Sequence, residues 1–222
     1  MPQIGQAPGW YGKLPQLGDF ARRRLPSEFI GPWDDWLQQG LQSSRAALGE
    51  AWLEHYLGAP VWRFVLLPGV IEPDAWAGVL MPSVDRVGRY FPLTLCTSLK
   101  EDAPLGPSLT GLDSWLAGLE TCALLALDAE RGLDRMEVAL QELPACPGAV
   151  DPDPAGPNRP AAGFLDGLGA RILPRALAGN GFWWQCDLDG GCIGFVQPGL
   201  PSPSRFAEML SGRPSQQAAT TA

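Results

Sequence analysis

The chain has 222 residues, and 45% of them are hydrophobic, enough to bury a sizeable core within one large domain. Its 16 basic and 24 acidic residues give a net charge of -8, which argues against nucleic acid as a partner because phosphate backbones require a basic surface. The first residues, MPQIGQAPGW, lack the basic start and apolar core of a secretory signal, and no apolar run reaches the roughly 18 residues of a membrane span. We therefore expect a cytoplasmic protein without membrane insertion.

The first half of the chain predicts a hairpin, two helices and a central strand. Two short extended segments flank a turn at residues 15–18. Apolar residues at i, i+3, i+4 and i+8 then predict a helix with Pro32 in its first turn. The apolar face of this helix is formed by Trp33, Trp36, Leu37 and Leu41. A second helix is predicted over residues 50–57, and residues 61–67 are typical of a strand buried on both faces, with Arg63 as its one charged residue.

The second half predicts more helices, a hairpin and a long loop. Helical periodicity predicts four helices, at residues 112–127, 133–143, 164–172 and 205–210. An Asp-Gly step predicts a tight hairpin between strands at residues 182–188 and 192–196. Residues 144–160 are rich in proline and glycine and predict a surface loop, whereas the polar tail at residues 211–222 is predicted to be disordered.

Strands interleaved with helices predict an α/β fold. More specifically, we expect a three-layer sandwich in which helices cover both faces of a mixed sheet. Too little chain follows the proline-rich loop to form a second core, so residues 1–210 are predicted to be a single domain.

The sequence offers few groups for catalysis. His55 is the sole histidine, and the chain contains no nucleophile elbow, phosphate-binding loop or dinucleotide fingerprint. Its five cysteines lack the paired C-x-x-C spacing of zinc sites and are predicted to be reduced thiols. We therefore expect no enzymatic activity, no bound metal and no cofactor.

Residues 79–81 and 92–96 each predict a short buried strand, and a charged segment lies between them. Its polar residues are Ser83, Asp85, Arg86 and Arg89, and charged groups between core strands are usually paired or functional. One interpretation is an internal brace in which Asp85 binds Arg89 and fixes a loop. The other is a binding site for a partner.

A second charged segment begins with Gly18, Asp19 and Phe20 and continues through Arg22, Arg23 and Arg24. Consecutive arginines on an extended segment alternate sides, so at least one face presents guanidinium groups that could bind a phosphorylated or acidic segment. The alternative is a solvated edge strand whose charges prevent aggregation.

The adjacent Trp183 and Trp184 must point to opposite sides of their predicted strand. One of them is therefore expected to face outward, where it would anchor an interface or be covered by the proline-rich loop. These two residues, like Arg63, have either a structural or a binding role.

Four segments carry a family resemblance: GWYGKLPQLGDFARRRLP at residues 9–26, PWDDWLQQGLQSSRAALGEAW at 32–52, APVWRFVLLPG at 59–69 and WAGVLMPSVDRVGRYFPLTL at 76–95. In these segments the chain resembles the TagF family of bacterial type VI secretion-associated proteins. The resemblance extends from residue 9 to about residue 210. It implies a cytoplasmic accessory protein that represses type VI secretion after translation, has no enzymatic activity and associates with a forkhead-associated scaffold protein.

These observations lead to one expected function and two alternatives. The expected function is a repressor that binds the scaffold protein and blocks assembly or firing of the apparatus. Its candidate contacts are Arg22, Arg23, Arg24, Ser83, Asp85, Arg86 and Arg89. The alternatives are a metal-dependent hydrolase or phosphatase that uses Asp19 or Asp85, and a sensor in which Arg86 and Arg89 clamp an anion. The sequence leaves the oligomeric state open.

Overall fold

A computed structural model describes residues 7–99, 109–146, 176–187, 189 and 191–212. The strands are β1 (Gly9–Gly12), β2 (Ala21–Arg23), β3 (Trp62–Leu66), β4 (Ala75–Met81), β5 (Leu93–Leu99), β6 (Asn180–Cys186) and β7 (Cys192–Pro198). The helices are α1 (Ser27–Leu48), α2 (Trp52–Leu57), α3 (Leu109–Leu125), α4 (Gly132–Glu142) and α5 (Pro203–Leu210), with a 3₁₀ turn at Gly49–Ala51. The helix predicted at residues 164–172, the tail from residue 213 and most of the 144–160 loop lie outside the described residues.

The seven strands form one sheet in the order β2-β1-β5-β4-β3-β6-β7. Together with the helices, this sheet confirms the α/β prediction. Every strand pairing among the described residues is antiparallel, so the prediction of a mixed sheet is wrong. For β3, β4 and β5 the reason is the connections, because short links reverse the chain, whereas parallel pairing needs a crossover of a dozen or more residues. As predicted, β3 is central, between β4 and β6.

Alternate residues of the same strands contribute to two hydrophobic clusters. In β3, Phe64 packs with α1, α2 and α5, whereas Val65 packs with α3 and α4. The first cluster is rich in aromatic rings: Trp33 of α1 stacks against Trp183 at a centroid distance of 6.1 Å and donates a 2.8 Å hydrogen bond to Thr94. Trp183 is thus a core residue, and its neighbour Trp184 is half-buried beside the second cluster.

Helix α1 begins earlier than the sequence pattern predicts. It starts at Ser27, so Pro32 lies inside the helix rather than in its first turn. Phe29 and Ile30 of the added turn are buried, and this burial outweighs the hydrogen bond that the proline cannot donate.

The prediction of five reduced cysteines is wrong for two of them. Cys186 and Cys192 form a disulfide because the tight hairpin sets them opposite each other in register, with their Cα atoms 4.1 Å apart. Cys96 and Cys122 are buried free thiols, and Cys146 is a half-buried one.

Candidate functional site

The connection between the interior strands β4 and β5 folds back on itself at the ends of these strands. Val84 and Tyr90 form a β-bridge, and Gly88 provides the positive φ of +85° that closes the turn. The backbone N–H of Asp85 donates to the Arg89 carbonyl at 3.1 Å, and the Gly88 N–H donates to the Asp85 carbonyl at 3.0 Å. We call residues 83–91 the charged turn.

The carboxylate of Asp85 is the buried centre of the charged turn. Its Oδ1 accepts hydrogen bonds from the backbone N–H groups of Val87 at 3.0 Å and Arg89 at 2.9 Å. Its Oδ2 accepts from Lys13 Nζ at 3.0 Å and from Arg89 Nε at 2.7 Å. Burial alone would raise the pKa of Asp85, but these hydrogen bonds outweigh it and hold the pKa well below its usual range. The internal brace is therefore present, with Lys13 as a further member.

Ser83 is also an internal residue. Its hydroxyl donates to the Lys13 carbonyl at 2.7 Å, and its backbone N–H and C=O both bind the Tyr56 hydroxyl. Because Ser83 and Asp85 are buried and fully engaged, they shape the turn and leave no surface for direct contact with a partner. Each oxygen of Asp85 already accepts two hydrogen bonds, so the arrangement leaves no lone pair directed at a metal ion, as the hydrolase alternative would require of this residue.

The charged turn lies against the other charged segment that the sequence indicates. The backbone N–H of Arg86 donates to the Leu17 carbonyl at 2.8 Å, and Arg89 Nη2 donates to the carbonyl of Gly18. Arg86, Val87 and Arg89 are exposed at the tip of the turn. The fold thus joins two segments that are some 65 residues apart in sequence into one surface.

Residues 18–24 divide between this surface and the interior. Asp19 is exposed, and its Oδ1 accepts a 2.8 Å hydrogen bond from the Phe20 N–H. Phe20 is 46% exposed, although its ring packs edge-on against Phe91 at 4.7 Å. Arg22 is exposed and donates to the Ser27 hydroxyl at 3.3 Å.

Arg23 and Arg24 bind a carboxylate that the sequence did not indicate. Glu137 of α4 lies 2.8 Å from Arg24 Nη1 and 3.4 Å from Arg23 Nη1, and it accepts a hydrogen bond from the Trp10 indole. Burial would raise the pKa of Glu137, but the hydrogen bonds from Arg24 and Trp10 outweigh burial and leave this pKa below its usual value. Arg24 has a positive φ of 64°, the one such non-glycine residue among those described, and its contact with Glu137 offsets this conformation. Arg24 is therefore structural.

A groove of about 750 Å³ opens beside the charged turn. Its walls are α1 on one side and the charged turn on the other, and it is lined by Lys13, Phe20, Gln38, Leu41, Gln42, Arg45, Gly88, Arg89, Tyr90 and Phe91. These ten lining residues, all within the described part of the chain, include three cations and no carboxylate. The guanidinium of Arg45 lies over the Trp52 ring at 4.3 Å. The sequence did not predict a role for Gln38, Gln42 and Arg45. Their spacing places them on one helical face, but polar residues at this spacing are common on exposed helices and match no binding motif.

Arg63 and Trp184 form a separate network on another part of the sheet. Arg63 is buried and binds Asp113 at 2.9 Å and Glu120 at 3.0 Å, both on α3. The Trp184 indole donates to the same Asp113 carboxylate at 3.1 Å. These contacts attach α3 to β3 and β6, which gives Arg63 and Trp184 a structural role.

The described residues also bear on metal binding and on membrane insertion. In the parts of the chain that the structure describes, no group of three or more His, Cys, Asp or Glu side chains is placed to hold a metal ion. Across the same residues, none of the helices combines the length and the apolar character needed to cross a membrane.

Comparison with known proteins identifies the family. The family model described as TagF N-terminal domain, type VI secretion system-associated, matches residues 9–143. The chain is also similar to the crystal structure of PA0076 from Pseudomonas aeruginosa PAO1, with 35% identity and a TM-score of 0.77 over 97% of this chain and 99% of that one. None of the curated proteins compared with the sequence matches it. The chain therefore belongs to the TagF family of type VI secretion-associated proteins.

Proposed function

We propose that this protein is a cytoplasmic, non-enzymatic repressor of type VI secretion that acts after translation by binding the forkhead-associated scaffold protein of the same system. Membership of a type VI secretion-associated family supports the pathway. The observation that carries the binding role is the surface where the two charged segments meet. Arg86 at the tip of the charged turn and Arg22 on β2 are both exposed, and neither is ion-paired to a carboxylate among the described residues.

The roles within this surface differ from residue to residue. Arg86 and Arg22 are the contacts we propose, because each is exposed and neither pairs with Asp85 or Glu137. Arg89 is exposed as well, but it also stabilises Asp85 and would perturb the turn if removed. Arg23 is partly committed to Glu137 and is a weaker contact.

The test measures binding between the purified protein and the purified scaffold protein of its own secretion cluster. We expect the Arg22→Gln, Arg86→Gln double variant to bind at least about tenfold more weakly, because exposed interfacial arginines steer and anchor partners. Arg131→Gln is the matched control: it removes an exposed positive charge elsewhere and should leave the affinity unchanged.

Two results would overturn the proposal. The first is a folded wild-type protein that does not bind the scaffold protein. The second is a double variant that binds as tightly as Arg131→Gln, because this result would show that the interface lies elsewhere on the protein.

We also propose that the chain forms a single three-layer domain over residues 1–210. The support is the division of β3, β4 and β5 side chains between one cluster containing α1, α2 and α5 and another containing α3 and α4. A single cooperative transition in thermal unfolding is the expected result, and two separable transitions would contradict it.

A further inference from the structure

The groove beside the charged turn has a charge opposite to that of the whole protein. The chain carries a net charge of -8, yet the lining contains Lys13, Arg45 and Arg89 and no carboxylate among its ten described residues. We infer that this groove binds an extended acidic segment of a protein partner. The inference rests on the proposed function in that the segment would belong to the partner bound at this surface.

The positive charge of the groove survives its internal contacts. Two carboxylates contact the lining from outside it: Asp85 pairs with Lys13 and Arg89, and Asp34 accepts hydrogen bonds from Gln38 and Tyr11. Against three cations they leave one net positive charge, which Arg45 supplies. Arg45 is exposed, and no ion pair joins it to a carboxylate in the described ranges. Its guanidinium lies over the Trp52 ring, which fixes its position and reduces the entropy lost when a carboxylate binds. The site is thus a preorganised cationic one.

The α1 wall suits the main chain of an extended peptide. Gln38, Gln42 and Arg45 follow the helical period on one face, and all three are exposed. Gln38 commits its amide nitrogen to Asp34 at 2.6 Å and offers its carbonyl oxygen, whereas Gln42 can both donate and accept. From residue 38 to residue 45 the wall rises by about 10 Å, the span of roughly three extended residues.

Phe20, which packs against Phe91 of the charged turn, adds an apolar contact to the groove. Phe20 is 46% exposed, and Lys13 Nζ lies 4.8 Å from the centre of its ring. An aromatic or aliphatic side chain in the peptide can cover this ring while neighbouring carboxylates reach Arg45 and Arg89. A short acidic segment also fits the electrostatics better than a long polyanion. Salt screens charges over about 8 Å, so a short ligand in the groove is shielded from the acidic residues elsewhere on the protein, whereas a long polyanion would extend over them and be repelled.

The test uses peptides selected without reference to any known partner. Random peptides of about ten residues are displayed and selected on the full 222-residue protein, and the affinity of the enriched peptides is then measured in solution. We expect Asp and Glu to be enriched about threefold or more, and Arg45→Glu to weaken binding by at least about tenfold. Phe20→Ser should weaken it as well, and Arg131→Glu, a matched charge reversal on an exposed arginine, should not.

Several outcomes would overturn the inference. These are selected peptides without acidic enrichment, equal binding by Arg45→Glu, and displacement of the peptides by millimolar inorganic phosphate or by single-stranded DNA. Thermal unfolding keeps the interpretation clear, because a variant with an unchanged Tm has lost binding rather than structure.

The two proposals can fail separately. If acidic peptides bind the groove but the scaffold protein does not bind at all, the inference stands and the proposed function fails. If the scaffold protein binds, is not displaced by the selected peptides and binds Arg45→Glu normally, the proposed function stands and the groove inference fails.

Discussion

Two buried carboxylates, Asp85 and Glu137, hold the two arginine-bearing segments, and they differ in how far along the chain they reach. Asp85 binds mainly within its own turn, to two backbone N–H groups and to Arg89, with Lys13 as its distant partner. Glu137 binds only distant residues, namely Arg23, Arg24 and Trp10. The local carboxylate fixes the shape of a turn, whereas the distant one fixes the position of the edge strand β2.

This difference separates structural from available arginines. In each segment the arginine nearest the carboxylate is committed to it: Arg89 to Asp85 and Arg24 to Glu137. Arg86 and Arg22, in the same two segments, are exposed and pair with neither carboxylate, whereas Arg23 is exposed but also contacts Glu137. A row of arginines in a sequence therefore does not act as a unit, because a single buried carboxylate determines which of them can meet a partner.

The largest effect is expected for Asp85→Asn. The amide cannot accept from all four donors and leaves the buried ammonium of Lys13 without its counter-charge, so we expect the Tm to fall by about 10 °C. Thermal unfolding at neutral pH measures the change. Asp35→Asn, the same substitution at an exposed site on α1, is the control and should leave the Tm nearly unchanged. A small effect at Asp85 would mean that the brace is dispensable.

A smaller effect is expected for Glu137→Gln. The side chain keeps its shape and can still bind Trp10, but it loses its charge beside Arg24, so the Tm should fall by about 5 °C. Exposed Glu142 lies on the same helix, and Glu142→Gln provides the control. Hydrogen exchange should also increase at β2, since Glu137 holds that strand. Unchanged protection of the β2 amides would contradict the role of Glu137 in holding this strand.

Acid should reduce the advantage that Asp85 provides. Its pKa is lower in the folded protein than in the unfolded chain, so its stabilisation is complete above about pH 4 and declines as the pH falls towards the folded pKa. We expect the Tm difference between the wild type and Asp85→Asn to narrow by about 3 °C between about pH 5 and pH 3. A difference that stays constant or widens in acid would show that Asp85 is not the ionised partner of Lys13.

The contrast between the two carboxylates also explains what the sequence could predict. Asp85 and Arg89 are four residues apart in a short turn, so their pairing could be proposed from spacing alone. Glu137 shares the buried face of α4 with Met136 and Leu140. A carboxylate next to the apolar positions of a helix indicates a buried ion pair, but this position alone does not identify the partner. Its partners lie more than a hundred residues away, and no local pattern names them.

The same distinction applies to the fold. Helical periodicity and short apolar runs predicted the described helices and strands, because each depends on nearby residues, as in α1 with Trp33, Trp36 and Leu37. The start of α1 at Ser27 was not predicted. The order of the strands, the groove and the Cys186–Cys192 disulfide depend on which elements meet. Gln42 and Arg45 belong to the groove only because α1 lies beside the charged turn.

The smallest effect on stability is expected for Arg86→Gln, and it is the sharpest test of the comparison. Arg86 lies one residue from Asp85, but its hydrogen bond to the Leu17 carbonyl is donated by its backbone N–H, which a substitution keeps. We therefore expect the Tm to stay within about 1 °C of the wild type. Arg89→Gln in the same turn should lower the Tm measurably, because it removes the Nε contact with Asp85. Equal losses in the two variants would mean that the turn responds to its total charge, and the division between committed and available arginines would then fail.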